Sequence, residues 1–142
     1  MKTIDDITNR RQEIYSVDRR ESAKAVAEKM RQWYIRAVCV TDGGRLVGIV
    51  SEWDFLVKLM GAGRDPGLTP IGEIMTPDPH TTDPGASYAE CLAIMMKNDF
   101  QHLVVVSGSG ELRGTISVGD LLRVDKVERD GVIEFYESML KD

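Results

Sequence analysis

Apolar residues recur at steps of three and four between Ser22 and Tyr34, which is the spacing of one face of an α-helix. The residues on this face are Ala23, Val26, Ala27, Met30 and Tyr34. Ser22 is placed to cap the helix, and Asp18 and Glu21 put negative charge near its start. The pattern therefore predicts a capped amphipathic helix.

Two short apolar runs follow and predict a β-hairpin. Residues 37–40 and 46–50 are rich in β-branched side chains, and Thr-Asp-Gly-Gly at 41–44 offers a tight turn between them. A second helix is expected to begin at Ser51 and to end at the glycines of 61–63. Its apolar residues are Phe55, Leu56, Val57, Leu59 and Met60.

The same order of elements returns later in the chain. A shift of 66 residues without a gap places eleven pairs of identical residues in register over residues 21–56. The pairs are Ala23 with Ala89, Ala27 with Ala93, Met30 with Met96, Val38 with Val104, Val40 with Val106, Gly44 with Gly110, Leu46 with Leu112, Gly48 with Gly114, Ser51 with Ser117, Asp54 with Asp120 and Leu56 with Leu122. This register predicts a second helix with an apolar face of Ala89, Leu92, Ala93, Met96 and Phe100. The chain is interpreted as one unit written twice.

The duplication predicts an α/β fold of the α+β kind, with units over residues 1–66 and 67–142, each a small sheet packed with two helices. Units this small bury too little surface to be stable alone, so they are expected to pack together with pseudo-twofold symmetry. Glycine and proline in Gly61–Pro70 predict a linker. Residues 124–140 predict a last amphipathic helix, which could break at Gly131.

Charge and cysteine content narrow the class of protein. A net charge of −5 without a run of five like charges argues against a nucleic-acid partner. Cys39 and Cys91 lack metal-ligand spacing and are interpreted as buried thiols in a reducing cytosol. The N-terminus is charged, and no apolar run approaches the ~18 residues of a membrane span. We therefore expect a soluble, cytoplasmic protein with no membrane partner.

Each repeat closes with the pattern Gly-x-x-Ser-x-x-Asp. The residues are Gly48, Ser51 and Asp54 in the first copy and Gly114, Ser117 and Asp120 in the second. Each Ser–Asp pair fits a capping box, which contributes ~1 kcal/mol per helix. Equally, a helix start with a hydroxyl can hold a ribose phosphate while the carboxylate accepts from two ribose hydroxyls. The glycine lets backbone or ligand approach closely, and the two interpretations are compatible.

These motifs, the helix, the hairpin and the segment IGEIMTPDPHTTDPGAS at 71–87 together resemble a tandem pair of CBS (cystathionine β-synthase) domains, the arrangement called a Bateman module. In that family the signature aspartate binds the ribose of an adenosine nucleotide, and the serine or threonine helps to hold ribose or phosphate. The resemblance implies these roles for Asp54 with Ser51 and for Asp120 with Ser117. It implies AMP, ADP, ATP or S-adenosylmethionine as the ligand, bound in a cleft between the units, with no required cofactor and no metal.

Further positions resemble ligand contacts of the family. A basic residue before the second strand often reaches phosphate, which implies this role for Arg36 and, one repeat later, for His102. A solvated strand end and a half-exposed polar residue are the alternatives for these two. Pro79, His80 and Thr81 match the segment whose backbone often lines the base pocket.

Two departures from the family pattern bear on the sites. Val38 and Val104 replace a proline of the family, at little cost because valine suits an extended backbone. The segment that leads into the first repeat has TIDDI, which resembles PIGEI, but lacks the Met-Thr piece that begins at Met75. The site around Asp120 is therefore expected to be better formed than the site around Asp54.

No catalytic constellation accompanies the motifs, since there is no nucleophile elbow, no Walker loop and no pair of closely spaced histidines. We expect a protein that is not an enzyme. One hypothesis is a regulatory module that senses an adenosine-containing metabolite and signals to a protein partner. The alternative is a structural interaction module whose Ser-x-x-Asp motifs only cap helices.

A homodimer is also expected, because modules of this family commonly associate through their helices. The apolar residues that the sequence offers for this contact are Phe55, Leu56, Leu59, Met60, Phe135, Tyr136, Met139 and Leu140.

Overall fold

The computed structural model describes residues 3–8, 14–99, 101–123 and 126–141. Phe100 and Val124, which the sequence pattern assigns to helices, lie outside these residues, as does the side chain of Val127. The chain divides into two compact units. The first unit is Tyr15–Pro79, and the second combines the described residues up to Ile14 with those from His80 onward.

A short helix, α1 (Asp5–Thr8), comes first in the chain and belongs to the second unit. The first unit holds the strands β1 (Ser16–Asp18), β2 (Ala37–Asp42), β3 (Arg45–Ser51) and β4 (Thr76–Pro77), which lie in this order in one sheet. β1 is parallel to β2, and the other neighbours are antiparallel. Its helices are α2 (Ala23–Trp33), α3 (Glu52–Asp54), a π-helical turn (Phe55–Met60) and a 3-10 turn (Ile71–Glu73).

The second unit repeats this plan with fewer strands. Its sheet has the order β5 (Thr81–Thr82), β6 (His102–Val106) and β7 (Leu112–Ser117), with β5 parallel to β6 and β6 antiparallel to β7. Its further helices are α4 (Tyr88–Asn98), α5 (Val118–Leu122) and α6 (Lys126–Leu140). The expected α+β class, the two repeated units and both hairpins are confirmed.

Each unit has its own apolar core. The core includes buried residues of the sheet and of the helix that precedes the hairpin, α2 in the first unit and α4 in the second. The first core consists of Val17, Ala23, Val26, Met30, Val38, Val40, Val50, Leu59, Ile71 and Ile74. The second consists of Ile4, Tyr88, Cys91, Leu92, Met95, Leu103, Val105, Ile116, Leu121 and Val132. Burial of large apolar side chains stabilises a fold by about 1.5–3 kcal/mol each, so these cores are what position the motif residues.

The ungapped shift of 66 residues is wrong for the helix of the repeat. Ser22 and Ser87 are the residues that cap α2 and α4, and Tyr34 and Asp99 end the two helices in the left-handed conformation with φ of 56°. Both pairs are 65 residues apart (87 − 22 and 99 − 34). The identities of alanine and methionine at a spacing of 66 are therefore coincidental.

The consequence is a different apolar face on α4. Tyr88, Cys91, Leu92 and Met95 are its buried residues, so of the expected face only Leu92 is among them. A shift of one position turns a helical face by about 100° because a turn holds 3.6 residues. That rotation is why the face inferred from sequence identity was wrong.

The first strand of the repeat shows the same change of register. Val40 pairs with Gly48 in the first unit, whereas Val105 pairs with Gly114 in the second. The valines are 65 residues apart and the glycines 66, so the second hairpin has one extra residue in its turn. Val104 and Val106 therefore do not correspond to Val38 and Val40, and only the second strand and the motif keep the shift of 66.

The two lead-in segments lie in the unit of the other repeat. Thr3 forms an antiparallel bridge with Ser87, the cap of α4. Pro70 forms the equivalent bridge with Ser22, the cap of α2. Ordering a lead-in segment against the start of a helix satisfies backbone groups that the helix itself leaves unpaired.

This exchange makes the compact units differ from the division at 66/67 expected from the repeat. Residues 67–79 lie in the first unit, and residues 3–8 lie in the second. The segment Gly61–Pro70 is consequently part of the first unit rather than a linker between units. Its Thr69 is 3% exposed, and the Thr69 carbonyl accepts from Ala23 N at 2.7 Å.

Two helices differ in detail from the sequence pattern. The helix after Ser51 forms as expected but takes a π-helical form, in which Gly61 N donates to Leu56 O at 2.8 Å. The break considered at Gly131 is wrong, because α6 runs through it. Val132, which is 4% exposed, anchors α6 to the second core.

Candidate functional site

The first motif lies where β3 passes into α3. Ser51 ends the strand with an extended backbone, and Asp54 lies in the helical turn that follows. Asp54 Oδ2 accepts from Ser51 N at 2.9 Å and from Ser51 Oγ at 3.3 Å. The carboxylate therefore caps the helix that carries it, and the capping interpretation of this motif is confirmed in the first unit.

The other oxygen of Asp54 is bound by two side chains from outside the motif. Thr76 Oγ1 donates to Asp54 Oδ1 at 3.2 Å, and Lys58 Nζ lies 2.9 Å from the same oxygen. The side chain of Asp54 is 4% exposed, whereas that of Lys58 is 40% exposed. A carboxylate has about four acceptor positions, so the chain's own donors fill those of Asp54.

Gly48 explains how Thr76 reaches the acid. β4 pairs with β3 so that Gly48 faces Pro77. A Cβ atom on Gly48 would lie 2.4 Å from Met75 Sδ and 2.9 Å from the Thr76 carbonyl oxygen. The motif glycine of the first unit is thus required for close approach of the chain's own backbone.

The second motif shares the bond from the serine N–H to the aspartate Oδ2 and adds a bond to the serine hydroxyl. Ser117 N donates to Asp120 Oδ2 at 2.8 Å, and Asp120 N donates to Ser117 Oγ at 3.1 Å. Arg123 Nη2 lies 2.9 Å from Asp120 Oδ1. The Asp120 side chain is 19% exposed and that of Arg123 is 73% exposed, so this carboxylate is more accessible than the one of Asp54.

The glycine of the second motif serves a different purpose from Gly48. Gly114 has φ of 130°, a backbone conformation that residues with a Cβ rarely adopt. One sequence position thus has two physical reasons to be glycine: close approach in the first unit and backbone conformation in the second.

Arg36 lies beside the first motif as expected. Its carbonyl accepts from Glu52 N, the first residue of α3, at 3.1 Å, and its side chain is exposed. In the second unit the equivalent bond runs from Val118 N to Gln101 O at 3.2 Å. Gln101, not His102, is therefore the counterpart of Arg36.

His102 instead takes the place of Ala37. Ala37 pairs with Ser51 in the first unit, and His102 pairs with Ser117 in the second. Adjacent residues of a strand point to opposite faces of the sheet. His102 is therefore expected on the face of its sheet that Ala37 occupies in the first unit, not on the face that corresponds to Arg36. The paired roles implied for Arg36 and His102 are thereby corrected, and the error comes from the one-residue difference between the two hairpin turns.

The segment 75–81 is divided between the two units. Met75 and Thr76 lie against the first motif, and Pro79 ends the first unit. His80 and Thr81 lie in the second unit, where the His80 carbonyl accepts from Val104 N at 3.2 Å and Thr81 is in β5. The expectation that this segment completes the site around Asp120 is wrong for its first half, which lies against Asp54.

Four residues at the two motifs were not predicted from the sequence: Lys58, Thr76 and Arg123 through their side chains, and Gln101 through its backbone carbonyl. Lys58 follows Asp54 by four residues and Arg123 follows Asp120 by three, and both spacings bring side chains together on a helix. Gln101 could be found only from the strand register. Thr76 could be found only from the exchange of lead-in segments, because it is 22 residues from Asp54 in the chain.

The described residues contain no cluster of His, Cys, Asp or Glu that could hold a metal ion. Cys39 and Cys91 are free and buried. Burial raises the pKa of the Cys39 thiol to about 12, and burial also raises the pKa of Cys91, against a smaller opposing effect of its hydrogen bond with Thr82. Both thiols are thus held in their protonated, unreactive form.

Matches to a known protein family cover both motifs. The model of the CBS domain matches residues 4–61 and again residues 71–126. The chain belongs to the CBS-domain family. Its two matches make it a tandem CBS pair, as the resemblance implied.

Solved structures with CBS domains have the same fold. A CBS-domain protein from Burkholderia ambifaria has 32% sequence identity and a TM-score of 0.81, over 86% of this chain and 92% of that chain. CBSX2 in complex with AMP has 25% identity and a TM-score of 0.71, over 87% and 95% of the two chains. A Pyrobaculum aerophilum CBS protein complexed with AMP has 22% identity, a TM-score of 0.77 and coverage of 87% and 94%, and this likeness concerns the fold alone.

Curated relatives of the chain differ in length. A 17.7 kDa protein of Acidianus ambivalens is 28% identical over 111 residues, which are 78% of this chain and 66% of that protein. Hypoxic response protein 1 of Mycobacterium tuberculosis is 27% identical over 140 residues, 98% of this chain and 94% of that protein. The chain spans only 54% and 18% of relatives from Methanopyrus kandleri and Arabidopsis thaliana. In the part of the chain that the structure describes, no helix is long and apolar enough to cross a membrane.

Proposed function

We propose that this tandem CBS pair is a regulatory module that binds an adenosine-containing nucleotide and passes the bound state to a protein partner. The observation that carries the proposal is the second motif, where Ser117 and Asp120 stand at the start of α5 with an acid that is 19% exposed. The AMP complex of CBSX2 supports AMP as the first ligand to test. ADP, ATP and S-adenosylmethionine share the adenosine group and are the further candidates.

The proposed contacts follow from what each group can donate or accept. Asp120 would accept from vicinal ribose hydroxyls, and Ser117 with the first backbone N–H groups of α5 would meet an anionic phosphate. Arg36 would supply a cation beside the first motif, where Ser51 and Asp54 are the equivalent pair. The other candidate contacts of the base or phosphate are unchanged. They are Pro79 in the first unit and His80, Thr81 and His102 in the second.

Such a module does not need chemistry of its own. Ligand binding would bias association with a partner, and no residue is assigned a catalytic role. The two buried, protonated thiols fit a reducing cytoplasm, where we expect the protein to work.

A homodimer is part of the proposal, with a corrected surface. Phe55, Phe135 and Tyr136 pack against the cores and Leu59 is 6% exposed, so these four do not offer the expected apolar face. The exposed side chains of the first unit near its motif are Trp53, Leu56, Val57 and Met60, with exposures of 66%, 57%, 42% and 76%. An apolar surface of this extent on one helical segment favours a partner helix.

A structural interaction module is the second candidate function, and one observation favours it. Both motifs make the hydrogen bonds of a helix cap without any ligand. Under this alternative the acids stabilise α3 and α5, the exposed apolar residues mediate association, and no nucleotide binds.

Thermal unfolding and calorimetric titration with AMP separate the two candidates. Binding predicts stabilisation of about 2.7 kcal/mol at a hundredfold excess of ligand over Kd, and the same screen with ADP, ATP and S-adenosylmethionine ranks the ligands. GMP is the control for the base. A protein that none of the four adenosine compounds stabilises or titrates would be assigned to the structural alternative.

A further inference from the structure

The carboxylate of Asp54 is already saturated by the protein itself. Ser51 N and Oγ bind its Oδ2, at 2.9 and 3.3 Å. Thr76 Oγ1 and Lys58 Nζ bind its Oδ1, at 3.2 and 2.9 Å. A ribose that approached Asp54 would need acceptor positions that these donors hold, since a carboxylate has about four.

The two donors from outside the motif differ in how easily they can leave. Thr76 is part of β4, which pairs with β3, and its short β-branched side chain is restricted at χ1, so its hydroxyl stays within reach of Asp54. Lys58 is attached by a flexible side chain that is 40% exposed, and its ammonium can exchange the carboxylate for water. Asp54, which is 4% exposed, has no such alternative. Lys58 is therefore the donor that a ligand would displace.

Lys58 lies in the π-helical turn and makes a second contact beside the ion pair. The turn spans Phe55–Met60. Besides the ion pair, Lys58 Nζ lies 3.5 Å from the Met75 carbonyl oxygen of the lead-in segment. Buried Leu59 at 6% exposure anchors the same turn in the core. The side chain thus spans the motif acid and the segment beside it.

We propose that Lys58 is a specificity-determining residue that keeps the first site closed by competing with ribose hydroxyls for Asp54. This inference rests on the proposed function, because it assumes that Asp54 can bind ribose. It also predicts that the two CBS units are unequal: the second site binds first, and the first site binds only where a ligand repays the loss of the Lys58 ion pair.

The test isolates the first site in an Asp120→Ala background. Adding Lys58→Met removes the ammonium and keeps an apolar stem of similar length. The Kd for AMP, measured by calorimetry, should then tighten about tenfold, since a hydrogen bond to a charged group stabilises by about the free energy of a factor of ten. Adenosine, which has no phosphate for Lys58 to contact, should gain at least as much as AMP.

Lys58→Arg in the same background is the matched control. It retains a cation four residues from Asp54 and should give less than a third of the gain. Near-ultraviolet circular dichroism and a thermal melt establish that each variant is folded.

Every outcome decides the inference. An unchanged Kd would show that Lys58 does not close the site, and a weaker Kd for AMP alone would show that Lys58 binds phosphate instead. If neither background nor double variant binds AMP at millimolar concentration, the first site is not a ribose site and the inference fails. In that case AMP binding by the wild-type protein keeps the proposed function, and its absence there rejects both.

Discussion

The two CBS motifs have the same three signature residues but different surroundings. Asp54 is almost fully buried and held by Thr76 and Lys58, whereas Asp120 is 19% exposed and paired with an arginine that is itself 73% exposed. Identical motifs therefore present carboxylates of different accessibility. A signature therefore locates a candidate site, while residues far away in sequence decide how accessible its carboxylate is.

The largest expected effect is on ligand binding. Asp120→Ala should raise the Kd for AMP about ten- to hundredfold, because it removes a charged acceptor worth about 1.5–3 kcal/mol. Asp54→Ala should raise it less, since the protein's own donors already occupy Asp54. Titration calorimetry of the two variants and wild type measures the difference, and a larger loss in Asp54→Ala would reverse the ranking.

The order of effects should invert for stability. Asp54→Ala leaves Ser51 N, Thr76 Oγ1 and the Lys58 ammonium without their acceptor and should lower the free energy of unfolding by about 2 kcal/mol. Asp120→Ala loses a helix cap and an ion pair with Arg123, a side chain that is 73% exposed, and should cost about 1 kcal/mol. Urea denaturation of both variants without ligand tests this. Equal losses would mean that the extra partners of Asp54 contribute nothing to the fold.

The two glycines should respond differently to a compensating change. Gly48→Ala and Gly114→Ala should each cost about 1–3 kcal/mol, the first by overpacking and the second by backbone strain. Met75→Ala removes the Sδ atom that lies 2.4 Å from the new Cβ at position 48, so it should recover part of the loss at Gly48. It should recover none at Gly114. A double-mutant cycle by denaturation is the measurement, and strict additivity at Gly48 would contradict the close-approach explanation.

Each unit carries one buried thiol that reports its opening. The raised pKa of Cys39, about 12, and the raised pKa of Cys91 keep both unreactive with Ellman's reagent at pH 8 in the folded protein. Since the unfolded thiol has a pKa of about 8.5, the folded state retains protons that the unfolded state loses above that value, and stability should fall as pH rises from about 8.5 towards 12.

Single-cysteine variants, Cys39→Ala and Cys91→Ala, turn these thiols into a comparison of the units. AMP should slow labelling of Cys91 more than labelling of Cys39, because the second site is proposed to bind first. Stronger protection of Cys39 than of Cys91 would place the first binding event in the first unit, and equal protection would contradict an order of binding. This effect is the smallest, since local opening reports only part of the global stability.

Several features of the fold could be predicted from local pattern alone. The helix after Ser22, both hairpins and the Ser–Asp caps depend on neighbouring residues, and short-range spacing carries that information. The family resemblance rested on the same local features together with their repetition. The position of Arg36 beside the first motif could be predicted for the same reason, because the hairpin brings it next to Ser51.

The counterpart of Arg36 shows where local pattern was insufficient. Chance identities at a spacing of 66 favoured an ungapped repeat, and His102 followed from it. One extra residue in the second hairpin turn changes the register of β6 and places Gln101 there instead. Turns tolerate such insertions because they lie on the surface, so identity alone could not locate this one.

The sequence by itself determined the elements, the repeat and the motif, because helix periodicity, turn glycines and caps act over a few residues. Only the tertiary structure decided which lead-in segment meets which motif and hence which acid is open. Thr76 reaches Asp54 across 22 residues because β4 pairs with β3 over a glycine that leaves room for it. Contacts at that separation depend on packing and strand pairing, which no local pattern specifies.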